Sequence, residues 1–150
     1  MLAISAYDIA SRFVGIEEVG GNVDNPQIVA MLQLDSKWAK KDEVPWCSAF
    51  VNYAAWLLDL PRSKSLAARS WLNVGIPKPL AQAERGFDVV ILKRGREPQP
   101  GPSVIKAKGH VGFYASHFGS KVYLLGGNQD DTVSVSPFPS SRILGIRSLI

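Results

Sequence analysis

Residues 46–58 read Trp46-Cys47-Ser48-Ala49-Phe50-Val51-Asn52-Tyr53-Ala54-Ala55-Trp56-Leu57-Leu58 and are apolar at nearly every position. A helix that is apolar on all sides is usually buried inside a domain. Pro61 follows closely and cannot continue a helix, because proline lacks a backbone N–H. We therefore predict a buried helix from about Trp46 to Leu58, which ends before Pro61.

Residue types that cap helices predict three more helices in the first half of the chain. Ser or Asn favours a helix start, Pro favours the first helical position, and Gly favours the residue after the end. The predicted helices are Ala6–Val14 after Ser5, a helix that begins at Asn25-Pro26, and Ser65–Val74 before Gly75.

The second half of the chain is rich in β-branched and aromatic residues, which favour strands. The proline-rich segment Arg94–Lys108 is predicted to be a loop between two strands. Helices followed by an antiparallel sheet indicate an α+β fold rather than an alternating α/β fold. The five predicted strands are Phe87–Leu92, His110–Ser116, Lys121–Leu125, Thr132–Val135 and Ile143–Leu149.

Length and composition indicate one globular domain. The chain has 150 residues, of which 46% are hydrophobic and 20% are charged, so a disordered or fibrous protein is excluded. We expect residues 1–150 to form a single domain. The net charge of +4 favours anionic partners, but it is too small to indicate nucleic acid.

The counts of cysteine and histidine limit the chemistry. Cys47 is the one cysteine and there are two histidines, so a disulfide framework and a multi-cysteine zinc site are both excluded. We expect neither a metal nor a cofactor. The first residues show no signal peptide, and no run reaches the roughly 18 apolar residues of a membrane helix. We expect synthesis in the cytoplasm and no stable membrane insertion.

Cys47 lies in the first turn of the predicted buried helix. Free backbone N–H groups and the positive end of the helix dipole meet there, and both favour thiolate over thiol. The same N–H groups can stabilise an oxyanion. The alternative is that Cys47 is only a small buried hydrophobic residue, as many lone cysteines are.

A thiolate nucleophile needs a general base, and His110 and His117 are the two candidates. They are seven residues apart, so on one regular strand they face opposite sides and at most one faces the helix. Gly109 and Gly112 flank His110 and leave room for a substrate or a close backbone. We therefore prefer His110, with the alternative that it is merely a hydrogen-bonded residue of the sheet.

A third polar group should orient the imidazole. Asn128 ends a strand that we expect beside the strand of His110, and its side chain can accept a hydrogen bond from the ring. Gln129, Asp130 and Asp131 compete for this role. The alternative is that Gly126-Gly127-Asn128-Gln129-Asp130-Asp131 is simply a turn.

These residues belong to four motifs that resemble the NlpC/P60 and CHAP superfamily of cysteine peptidases and amidases, and within it the small phage-type, endolysin-like cell-wall hydrolases. The resemblance extends from about Ile9 to Arg147. The motifs are Pro45-Trp46-Cys47-Ser48-Ala49-Phe50-Val51, Ala68-Arg69-Ser70-Trp71-Leu72, Gly109-His110-Val111-Gly112-Phe113 and Gly126-Gly127-Asn128-Gln129.

The resemblance implies a papain-like fold, with N-terminal helices packed on a C-terminal antiparallel sheet of about five strands. Matched by position, it implies that Cys47 is the nucleophile, His110 the base and Asn128 the orienting residue of a single catalytic domain. The sequence departs from the superfamily pattern upstream of Cys47. Many members have Asp immediately before the cysteine, where this chain has Trp46. No Gln lies between Lys40 and Trp46 to contribute a side chain to an oxyanion hole.

Several residues are candidates for binding substrate. Arg69 can meet a substrate carboxylate bidentately from a helix that forms a wall of the cleft. The alternative is a surface Arg69 beside a core Trp71. Trp46, Trp71 and Gln129 are further candidates for lining the cleft. A basic cluster around the proline-rich loop can face an anionic wall polymer or a membrane surface, or can simply be solvated; it comprises Lys93, Arg94, Arg96, Lys106 and Lys108.

We therefore expect a hydrolase that cleaves an amide bond of the peptidoglycan peptide stem, as an endopeptidase or an N-acetylmuramoyl-L-alanine amidase, in a phage endolysin. Two alternatives stay open: a non-catalytic wall-binding or virion structural protein on the same scaffold, and an interbacterial amidase toxin. The expected partner is peptidoglycan, bound by a monomer. The expected place of action is the bacterial cell wall, after synthesis in the host cytoplasm and release or delivery.

Overall fold

The computed structural model describes residues 3–19, 24–37, 45–96 and 98–150. In these ranges three α-helices precede a six-stranded antiparallel sheet. The predicted α+β class is confirmed. The helices are α1 (Ala6–Ser11), α2 (Pro26–Gln33) and α3 (Cys47–Leu57).

The helix starts follow the predicted caps. Ser5 and Asp8 form a capping box at α1, in which the Ser5 hydroxyl accepts from the Asp8 N–H at 3.1 Å. The Asn25 side chain caps α2 by accepting from the Gln27 N–H at 2.9 Å. α3 has no side-chain cap, and its first helical residue is Cys47.

The predicted helix Ser65–Val74 is wrong over its first three residues, because the structure has a 3₁₀-helix at Ala68–Asn73 only. Side chains of α3 hold the preceding residues in an irregular conformation. Ser48 Oγ donates to the Ser65 carbonyl at 2.6 Å, and Asn52 Oδ1 accepts from the Lys64 N–H at 3.0 Å. These bonds compete with the helical hydrogen bonds of that segment.

The sheet has the strand order β1-β6-β2-β3-β4-β5, with every neighbouring pair antiparallel. The five predicted strands are all present, and four of them extend further toward the C-terminus than predicted. The short strand β1 was not predicted. The strands are β1 (Ile76–Pro77), β2 (Asp88–Lys93), β3 (Gly109–Phe118), β4 (Lys121–Gln129), β5 (Thr132–Pro139) and β6 (Ile143–Ser148).

The core lies between α3 and one face of the sheet, where α3 packs on β3 and β4. Gly127 of β4 allows the closest approach: a Cβ there would lie 2.6 Å from the Trp46 ring and 2.8 Å from Phe50 Cβ. Only glycine fits such a contact without moving the helix. The absence of a side chain at Gly127 therefore places the first turn of α3 directly on the end of β4.

A second apolar cluster covers the opposite face of the sheet. It contains Val90, Leu92, Tyr114, Val122, Leu124 and Ile146. No helix within the described ranges has the length and apolar character needed to cross a membrane.

Candidate active site

Cys47 and His110 form a hydrogen-bonded pair at the N-terminus of α3. Cys47 is the first residue of that helix and His110 is the second residue of β3, so the helix start lies at the end of the strand. Both are nearly buried, with 3% and 7% of their surface exposed. The backbone N–H of Val111 also donates to the sulfur. The sulfur is therefore held by two donors.

The pair shifts the pKa of each partner in opposite directions. Burial raises the pKa of Cys47, but the hydrogen bond and charge of His110 and the Val111 N–H outweigh burial, so that pKa lies below its ordinary value. Burial likewise lowers the pKa of His110, while the hydrogen bond and charge of the Cys47 thiolate and the bond to Gln129 raise it above its ordinary value. Both shifts favour a thiolate–imidazolium pair.

Gln129 holds the other side of the imidazole. Its Oε1 lies 2.9 Å from His110 Nε2. The orientation of the amide follows from its nitrogen, which donates to the carbonyls of Leu124 at 3.2 Å and Ser134 at 2.8 Å. Oε1 is therefore the acceptor and Nε2–H the donor, which leaves Nδ1 of His110 to face Cys47.

The prediction that Asn128 orients the imidazole is wrong, because Gln129 occupies that position. The pairing of β4 with β5 shifts register between Gly126 and Gln129, and Asn128 has a φ of +56°. This irregularity turns the side chain of Gln129, rather than that of Asn128, toward the ring. Gly126 leaves space for it, because a Cβ at that position would collide with Gln129 Oε1.

His117 does not take part in the site, as predicted, but the geometry of β3 differs from that expectation. A bulge between Tyr114 and Ser116 shifts the register, so His117 lies on the same face as His110 rather than the opposite one. His110 is paired with Leu92, and His117 is paired with Val122. Leu92 and Val122 belong to the same apolar cluster, so the two histidines lie on the same face of the sheet. His117 instead bonds the Tyr114 hydroxyl through Nδ1 at 2.6 Å, far along the strand.

Three candidate substrate-binding residues are core residues. Trp46, Arg69 and Trp71 are each fully buried, which contradicts their predicted place on a cleft wall. Trp46 donates from its indole to Glu18 Oε1 at 2.7 Å, and Trp71 donates to Ser48 Oγ at 2.9 Å. Arg69 donates from Nε and Nη1 to backbone carbonyls, while its buried Nη2 has no hydrogen-bond partner among the described residues. The fourth candidate, Gln129, contacts His110 and also lines a hollow.

Comparison with known proteins places this arrangement in a recognised fold. Neither a scan against protein-family models nor a search of curated proteins found a match. Among solved structures, the chain matches the structure of NlpC1 from Trichomonas vaginalis with a TM-score of 0.55 and 14% sequence identity. The match covers 96% of this chain and 42% of the NlpC1 chain. The chain has an NlpC/P60-type fold.

The NlpC/P60-type fold of this chain leaves an open cleft over the Cys47–His110 pair. One hollow of about 600 Å³ contains His110, Gln129 and the displaced Asn128 on its lining. A second hollow of about 480 Å³ contains Cys47 and the end of the proline-rich loop. Arg94 belongs to the lining of both hollows. The nucleophile and the base therefore line two hollows, together called the groove, which share Arg94 as a lining residue.

The acidic and metal-binding side chains form no metal site in the part of the chain that the structure describes, where no three His, Cys, Asp or Glu residues cluster suitably. The constellation of the cleft comprises the Cys47 thiolate, the His110 imidazole and the Gln129 amide. The sequence predicts two members of this constellation, and it offers the third, Gln129, as a competitor of Asn128 and as a residue that lines the cleft.

Proposed function

We propose that the protein is a cysteine hydrolase that cleaves an amide bond in the peptide stem of peptidoglycan. The observation that carries this proposal is the Cys47–His110 pair at the start of a buried helix, with Gln129 behind the imidazole. The cysteine, histidine and amide side chain follow the chain order of papain-like enzymes. The NlpC/P60-type fold supports hydrolysis of this class of bond.

The proposed reaction begins with attack of the Cys47 thiolate on the carbonyl carbon of the scissile amide. The tetrahedral oxyanion is stabilised by backbone N–H groups at the start of α3, which have no partner within the helix. The His110 imidazolium then gives its Nδ1 proton to the nitrogen of the departing amine, and the C–N bond breaks.

Hydrolysis of the thioester returns the enzyme to its starting state. Neutral His110 accepts a proton from water as the water oxygen attacks the thioester carbonyl. The C–S bond breaks, the carboxylic acid product forms, and the sulfur leaves as a thiolate. Gln129 keeps Nε2–H of the ring hydrogen-bonded throughout, so that Nδ1 alone exchanges protons.

The biological setting belongs to the same proposal. We propose a single catalytic domain that acts as a monomer on the bacterial cell wall after release or delivery from the cytoplasm, as a phage endolysin does. The bond that it cleaves is either within the peptide stem or between N-acetylmuramic acid and L-alanine.

Digestion of purified sacculi tests the proposal and identifies the bond. Soluble products are separated, and their masses are measured by mass spectrometry. An endopeptidase releases shortened peptide stems, and an amidase releases intact stems from the glycan. The matched control is the same protein alkylated at Cys47, which is the one cysteine of the sequence. If the folded, unmodified protein releases no soluble peptide from sacculi, the proposed function is contradicted.

Replacing Gln129 by leucine is expected to lower kcat/KM for the amide substrate by about 10- to 100-fold, the loss typical when the hydrogen-bond partner that orients a histidine is removed. The ring of His110 then loses its acceptor at Nε2. Asn128→Gly is the matched control, because glycine accepts the positive φ of residue 128. Steady-state kinetics should leave the control within about threefold of wild type. Equal losses in both variants would contradict the role of Gln129.

A further inference from the structure

Arg94 is an exposed cation at the border of the two hollows, and nothing in the proposed reaction uses it. It lines both the hollow of Cys47 and the hollow of His110. Its positive charge acts on both residues, lowering the pKa of each. A guanidinium at this place can contact a substrate group that lies next to the scissile amide.

The backbone of Arg94 is held from behind by a second arginine. Arg142 Nη1 donates to the Lys93 carbonyl at 3.0 Å, and Arg142 Nη2 donates to the Gly95 carbonyl. These two carbonyls flank Arg94 on either side. A surface loop that carries an exposed arginine is normally mobile. Here the two hydrogen bonds from the Arg142 guanidinium fix the backbone of that loop.

The opposite wall of the cleft is held in the same way. Arg69 Nε donates to the Lys108 carbonyl at 2.8 Å, and its Nη1 donates to three carbonyls of the proline-rich loop, those of Pro100, Gly101 and Val104. This loop carries Lys106 and Lys108 into the hollow of Cys47. Two buried or partly buried arginines thus fix the loops whose exposed cations face the groove.

The charge of the groove is strongly one-sided. Its described lining carries five cationic side chains, whereas Asp130 is the one acidic residue in that lining. Low-dielectric walls that carry one sign of charge attract ligands of the opposite sign. The cations are Lys93, Arg94, Arg142, Lys106 and Lys108.

We propose that Arg94 forms a carboxylate-binding subsite next to the sulfur of Cys47, and that the substrate carries a carboxylate on the residue adjoining the scissile amide. The inference rests on the proposed function, since it takes Cys47 as the nucleophile. Arg94 is the residue for such a task because a guanidinium binds a carboxylate through two parallel N–H donors. Arg142 is a positioning residue that acts through the loop of Arg94.

Alkylation of Cys47 by two reagents of similar size tests the subsite without any turnover of substrate. Iodoacetate carries a carboxylate beside its reacting carbon, and iodoacetamide carries a neutral amide there. The ratio of the two second-order rate constants is independent of the fraction of thiolate, because that fraction affects both rates equally. The wild-type ratio is expected to exceed that of glutathione measured under the same conditions.

Arg94→Gln is expected to lower the iodoacetate to iodoacetamide ratio by about two- to fivefold, the effect of removing one unit charge from a solvated cleft. Arg94→Lys keeps the charge but loses the two parallel N–H donors, so its ratio should lie between those of wild type and Arg94→Gln. Arg96→Gln is the matched control, because Arg96 is exposed on the same loop but does not line either hollow. Added salt should lower the wild-type ratio more than that of Arg94→Gln, which keeps the other four cations of the lining.

A ratio in Arg94→Gln equal to that of wild type would overturn the inference, as would an equal drop in Arg96→Gln. This result is independent of the sacculus digestion. If sacculi stay intact while the ratio depends on Arg94, the proposed function fails and the carboxylate subsite stands. If sacculi are digested and the ratio is the same in Arg94→Gln as in wild type, the carboxylate subsite is contradicted and the proposed hydrolase function is retained.

Discussion

Cys47→Ala is expected to abolish release of soluble peptides from sacculi, with a loss of at least about 10³-fold in rate. The alanine variant has no nucleophile and no covalent intermediate, and the hydrogen bonds of His110 and the Val111 N–H lose their common acceptor. Product release followed by mass spectrometry measures the effect. The fold should persist, because alanine is a good helix residue and removes one atom from a site that lines an open hollow.

The control for this prediction separates chemistry from folding. The circular dichroism and the urea midpoint of Cys47→Ala should stay close to those of wild type. Binding to sacculi should persist, since the cleft and its cations are unchanged. Digestion by Cys47→Ala at the wild-type rate would exclude a thiol mechanism. It would instead favour a wall-binding protein accompanied by a contaminating hydrolase.

His110→Ala is expected to reverse the direction of the pKa shift of Cys47. In the wild type, burial raises that pKa, and His110, the Val111 N–H and the charge of Arg94 together more than offset it. Without His110 the burial remains, so the pKa of the thiol should rise above its ordinary value. The rate of alkylation by iodoacetamide, followed across pH, reports the thiolate fraction directly. His117→Ala is the matched control, because His117 lies far from the sulfur and should leave the titration unchanged.

The same pair sets the pH range of activity. The reactive thiolate–imidazolium form exists above the lowered pKa of Cys47 and below the raised pKa of His110. Hydrolysis should therefore rise as the pH passes the first value and fall as it passes the second, with apparent values that belong to the pair. A profile that rises only above the ordinary pKa of a free thiol would contradict the ion pair.

The position of the nucleophile could be predicted because it depends on local sequence. A long apolar run, ended by Pro61, indicates a buried helix, and Cys47 is at its start in the structure as well. His110 was identified by its flanking glycines, and Gly109 is indeed crowded, with a Cβ there placed 2.9 Å from Arg69 Cγ. These predictions needed only helix caps, apolar periodicity and space around a strand.

The third member of the site could not be predicted in the same way. Whether residue 128 or residue 129 meets the imidazole depends on an irregularity in the pairing of β4 with β5, which is a tertiary property. A regular strand gives alternation of side chains, and both Gln129 and His117 lie after a break in that alternation. The adjacent glycines Gly126 and Gly127 were a signal of close packing that was read as a possible turn.

The burial of Arg69 could not be predicted from the sequence either. Arginine is rarely fully buried unless its donors are satisfied. Here the acceptors are carbonyls 31 to 39 residues further along the chain. Only the folded path of the proline-rich loop brings them around one guanidinium.

The neutral side chain behind His110 has a consequence for the order of events in the proposed reaction. A carboxylate at that place would keep the imidazolium stable at every stage, whereas Gln129 carries no charge. The raised pKa of His110 therefore depends mainly on the negative sulfur. Once that sulfur is bonded to carbon, its charge is gone and the imidazolium becomes a stronger acid. The imidazole ring therefore keeps its proton before the thiolate attacks, and it donates that proton readily to the departing amine after the C–S bond has formed.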